Sequence, residues 1–64
     1  MNELIEQINW VLRLFEEGRL DWQEAIEEVQ AALDPGYVRE NPYASEAYAE
    51  RLLRECAEDN GVVI

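Results

Sequence analysis

A chain of 64 residues forms one domain at most and leaves little interior in which to build a catalytic cleft. Fifteen acidic residues against five basic ones set the net charge at −10, so direct binding to nucleic acid or to an anionic membrane, both held mainly through Lys and Arg, is not expected. A single cysteine and no histidine exclude an intramolecular disulfide and a zinc cluster, and no apolar run has the length of a membrane span or the layout of a signal peptide, which points to a cytoplasmic protein.

The first predicted helix covers about residues 2–17. Leu4, Ile5, Ile8, Val11, Leu12 and Phe15 recur at three- and four-residue spacing and form its main apolar stripe. Trp10 and Leu14 stand apart from it: at about 100° per residue they fall on a second ridge, one turn from each other. Two readings of that ridge are open. The helix either lies in the middle of the fold and buries two faces, or Trp10 with Leu14 is an exposed anchor for a partner or a second copy, since tryptophan is the residue type most often found at the energetic centre of an interface.

Gly18 breaks this helix and Asp21 starts the next. The Asp21 carboxylate can accept from the free N–H groups of the following turn, Glu24 three residues on completes a capping box, and Leu20 can staple onto Ala25 or Ile26. The second helix, about residues 22–33, has Trp22, Ala25, Ile26, Val29, Ala32 and Leu33 inward and Gln23, Glu24, Glu27, Glu28 and Gln30 outward. Asp34, Pro35 and Gly36 end it and suit a type II turn, leaving Tyr37 to Glu40 as a connector whose Tyr37 and Val38 cover one end of the core.

Asn41 before Pro42 signals a capped start to a third helix, about residues 42–59. Ser45, Ala49, Leu52, Leu53 and Cys56 face inward with Tyr48 at the margin, and the outer face pairs Glu50 with Arg54, Arg51 with Glu55 and Arg54 with Glu58. Asn60 and Gly61 stop this helix, and the tail Val62 to Ile64 either folds back onto the bundle or adds to a partner as a short strand. The expected fold is all-α: a single acidic domain over residues 1–64, a small three-helix bundle built on an N-terminal helical hairpin with a short apolar C-terminal tail. Leu4, Ile8, Leu12, Phe15, Ile26, Val29, Leu33 and Leu52 are its expected core.

Chemistry finds few candidates. With no histidine or lysine, acid–base work would fall to carboxylates, and neither Cys56 nor Ser45 has a base held beside it by sequence spacing. Cys56, on the inward stripe, reads as a small inert hydrophobe. No catalytic, cofactor or metal residue is assigned, and the chain reads as a non-enzymatic interaction module. The acidity is concentrated on the hairpin: residues 1–36 hold nine acids and two arginines, residues 37–64 six acids and three arginines.

Glu16, Glu17, Asp21, Glu24, Glu27 and Glu28 therefore form a candidate partner-binding ridge, either solvated surface or a docking face for a protein with a basic surface. Carboxylates three and four apart on a helix lie about 5–6 Å from one another, near the spacing of phosphates along a strand. In composition alone the chain resembles small acidic helical proteins that phages and mobile elements encode against host nucleic-acid-handling machines, the DNA-mimic type of anti-defence or anti-CRISPR protein. That resemblance implies an inhibitor or adaptor acting in the host cytoplasm. The alternative is a self-associating structural or regulatory subunit, a homo-oligomer with Trp10 and Leu14 at its seam.

Overall fold

The computed structural model describes residues 3–63, and among them every regular element is a helix. Four helices follow one another: α1 (Glu3–Glu16), α2 (Trp22–Ala31), α3 (Pro35–Glu40) and α4 (Pro42–Asp59). The all-α expectation holds, with the long helices within two residues of their expected ends; Asn2, expected in the first helix, lies outside the described residues. The three-helix count is corrected by α3. Pro35 sits at its first turn, where a missing N–H costs nothing, and Gly36 has no positive φ, so the expected type II turn is replaced by a short helix.

Asn41 is corrected as well. It makes no side-chain cap for α4; its Nδ2 donates back to the Tyr37 carbonyl at 3.3 Å, so it closes the C-terminus of α3. The capping box at the head of α2 forms as the sequence predicts: Glu24 N–H donates to Asp21 Oδ1 at 2.7 Å, and Asp21 N–H donates to Glu24 Oε1 at 3.3 Å.

Two helices end in the same way. Gly18 at φ 75° lets its own N–H donate to the Phe15 carbonyl and the Arg19 N–H donate to Leu14; Gly61 at φ 71° does the same with Glu58 while Val62 N–H reaches Ala57. These are Schellman closures, in which the left-handed residue turns the chain back onto the free carbonyls of the last turn. After the second of them Val62 packs against the core, so the tail folds back at that residue. Val63 is 90% exposed, and Ile64 lies outside the described residues.

The core is centred on the α2–α4 packing. Ile8, Val11 and Leu12 of α1, Ala25, Ile26 and Val29 of α2, Leu33, and Ala49, Leu53 and Ala57 of α4 are buried together. Ser45, Ala49, Leu53 and Ala57 are four residues apart, an i±4 row dominated by short side chains, which lets α2 approach closely. Leu53, rather than Leu52, is the fully buried leucine; Leu4, Phe15, Leu52 and Cys56 are half-buried. Gln30, expected outside, is half-buried: its Nε2 donates to Ser45 Oγ at 2.8 Å and to the Pro42 carbonyl at 3.2 Å, while Ser45 Oγ donates to the same carbonyl at 3.1 Å. This satisfies the buried Ser45 hydroxyl and bolts α2 to the start of α4. The molecule is 17 Å deep across its Cα atoms in its thinnest direction, about two helix layers, so α1 keeps one face in water rather than burying two.

Candidate functional site

The candidate carboxylates divide into four groups. Asp21 and Glu24 are exposed but occupied with each other's backbone in the capping box. Glu16 faces the α1–α4 seam, lining a shallow depression with Asn9, Arg13, Asn60 and Val62, and so points away from the ridge. Glu17 is paired with Arg19 at 3.8 Å, both well exposed, an interaction worth well under 1 kcal/mol. Glu27 and Glu28 remain, exposed on the outer face of α2, and no arginine pairs with either of them among the described residues. The sequence places six acids near one corner; the fold leaves Glu24, Glu27 and Glu28 sharing the outer face of one helix.

Beside that helix lies a groove the sequence reading missed. Gln23 and Ile26 of α2 and Tyr43, Glu46, Ala47 and Glu50 of α4 line an open depression of about 350 Å³. Tyr43 is 87% exposed and Glu46 is exposed, so the carboxylate-bearing side of α2 continues across the groove onto α4. The signal for this was present: Tyr43 and Glu46 fall off the inward stripe of the last helix, on the flank that faces α2.

Glu50 forms one wall of this groove and is held in place. Its Oε2 accepts from Trp22 Nε1 at 3.4 Å and pairs with Arg54 at 3.5 Å, while the Arg54 guanidinium lies 5.6 Å from the Trp22 ring centroid. Phe15 meets the same indole edge-on, with centroids 5.4 Å apart. Arg54 is thus held by the charge of Glu50 on its own helix and by the π face of Trp22 on α2; the expected Glu50–Arg54 pair forms, the expected Arg54–Glu58 pair gives way to this arrangement, and the expected Arg51–Glu55 pair forms at 3.4 Å.

Trp10 is 51% exposed and Leu14 is half-buried. The ridge is therefore displayed on the solvent side of α1, and Trp22, not Trp10, is the indole packed against other helices. Cys56 is half-buried, and its thiol pKa is raised first by loss of solvent and then by the nearby charges of Asp59 and Glu55. It is held as a neutral thiol, the opposite of what a nucleophile needs. Among the described residues no group of three or more potential ligands is arranged to hold a metal ion, and no helix is long and apolar enough to cross a membrane.

Comparison of the chain with models of protein families, with curated proteins and with solved structures finds no match to any of them.

Proposed function

We propose that this protein is a non-enzymatic interaction module, a small acidic inhibitor or adaptor that docks on a basic surface of another protein. The observation that carries the reading is the outer face of α2, where Glu24, Glu27 and Glu28 stand exposed without a cationic partner among the described residues and the flank continues through Glu46. Uncompensated charge on a rigid helix steers encounter with an oppositely charged surface and sets its salt dependence. A helix face that repeats carboxylates at phosphate-like spacing suits a protein channel that normally holds nucleic acid, which makes a cytoplasmic DNA mimic of phage or mobile-element origin the specific form of the proposal.

The test is capture of the partner, followed by binding at two ionic strengths for the parent and for the triple variant Glu24→Gln, Glu27→Gln, Glu28→Gln. The variant is expected to associate more slowly and with a flatter salt dependence while keeping its fold. Unchanged affinity and salt slope would return these residues to ordinary solvated surface.

The exposed Trp10 favours a second reading, self-association through Trp10 and Leu14. Under it the parent is an oligomer whose molar mass is insensitive to salt, and Trp10→Ala weakens assembly by about 2 kcal/mol with helicity kept. A monomer at high concentration for both parent and variant would refute it.

A further inference from the structure

The short helix α3 buries less of itself than any other element. None of its residues is fully buried, and its hold on the core is through the half-buried Val38. Its preceding residue Asp34 makes no side-chain capping bond, so the first N–H groups of the helix have no side-chain partner there. Along its seam with α2 an open apolar depression of about 270 Å³ runs between Ala31, Leu33, Pro35 and Val38.

Gly36 weakens it further. Gly18 and Gly61 sit at positive φ, where glycine is required for the helix stops, but Gly36 is helical, and a Cβ there would meet nothing closer than an Asp34 carboxylate oxygen at 3.7 Å. Neither backbone nor packing calls for glycine at this position, and glycine gives the open chain extra freedom.

We propose that α3 is a strap that opens independently of the rest of the bundle, hinged at Asp34 and Asn41, and that its opening uncovers Leu33 and the apolar end of the α2–α4 packing. Local opening of this kind is expected where a segment buries little and its loss leaves the main core intact. The strap touches α2 and α4 but, among the described residues, not α1, which provides a clean test.

The experiment is amide hydrogen exchange, read residue by residue on the full chain, for the parent, Ile8→Val and Gly36→Ala. Val38 and Asn41 donate hydrogen bonds at the two ends of α3, to the Asp34 and Tyr37 carbonyls, and report on the strap; Val29 and Leu53 report on the core. In the parent, Val38 and Asn41 should exchange at least about tenfold faster than Val29 and Leu53, relative to their unprotected rates. Ile8→Val, in the core of α1, should speed Val29 and Leu53 by roughly two- to tenfold and leave Val38 and Asn41 unchanged. Gly36→Ala should slow Val38 and Asn41 by about two- to fivefold. If Ile8→Val speeds all four amides by the same factor, α3 opens only with the whole domain and the proposal fails. It also fails if Val38 and Asn41 show no protection in either the parent or Gly36→Ala, because then there is no closed strap to open.

Discussion

Replacing Leu53 by Ala tests where the interior lies. Leu53 is fully buried on the row of α4 that otherwise carries Ser45, Ala49 and Ala57, whereas Leu52, its neighbour in sequence, is only half-buried. Truncating leucine to alanine removes the equivalent of about three methylene groups, roughly 2.4 kcal/mol of transfer free energy at about 0.8 kcal/mol each. A cavity contribution then adds to it. The core around this row includes Ala25, Ala49 and Ala57, which have no side-chain torsions to swing into a gap, so collapse is limited and the total should reach about 3–4 kcal/mol.

A 64-residue domain carries roughly 3–10 kcal/mol of stability, so this single change removes a large share of it. The melting temperature should fall by roughly 12–30 °C. Leu52→Ala, which loses less burial, should cost about half as much or less. Urea denaturation followed by circular dichroism, fitted with a common slope, measures both. A cost for Leu52→Ala equal to or above that of Leu53→Ala would show that α4 presents a different face to α2 and would refute the packing described above.

Three further outcomes are expected. Gly18→Ala should destabilise by roughly 1–2 kcal/mol in the same assay, because at φ 75° the new Cβ meets no neighbouring group and the whole cost is backbone strain; Gly18→Asn should cost clearly less. Asp21→Ala should cost about 1 kcal/mol by loss of the cap to Glu24 N–H, whereas Glu24→Gln, which can still accept from Asp21 N–H, should cost only a fraction of that in equilibrium unfolding. Cys56 should react with a thiol reagent at neutral pH more slowly than in the unfolded chain. Because folding raises its pKa, its contribution to stability is fully present below the unfolded-state pKa and is lost as pH rises through the folded-state value, so Cys56→Ala should flatten the fall of stability at alkaline pH.

Most of the fold was legible in the sequence because its signals are local. The capping box of Asp21 and Glu24, the stops at Gly18 and Gly61, and the stripe of Ile8, Val11 and Leu12 each follow from spacing within one or two turns. Pro35-Gly36 was ambiguous, since the same dipeptide opens a helix when Pro takes the first turn and makes a tight turn when Gly takes a positive φ; the helical form is the one that packs Val38 against the core, a tertiary contact that local spacing does not reveal. Leu52 and Leu53 both lie within the arc of an inward face, and only the position of α2 selects one. Gln30 looked like an outer residue by polarity, although it follows the core residue Ile26 by four positions and so shares its ridge. Of the candidate site, the separate ridge of Trp10 and Leu14 was readable from its place off the main stripe, but its exposure was not, since a helix in the middle of the fold would bury a second face. The division of the carboxylates was not, because it depends on which of them the caps and the α1–α4 seam take up.

The bond from Asn60 Nδ2 to Asn9 Oδ1, at 3.3 Å, joins residues 51 apart in sequence, whereas the Gln30–Ser45 bolt between α2 and α4 spans 15. Closing the larger loop from an unstructured chain costs about 1 kcal/mol more in chain entropy. Chain entropy alone therefore favours early formation of the α1–α2 hairpin and the α2–α4 pair, and the seam between α1 and α4 is expected to close last. Asn9→Ala should accordingly speed unfolding in stopped-flow measurements while leaving the refolding rate nearly untouched, so the persistence of the native state, more than the speed of reaching it, depends on this seam.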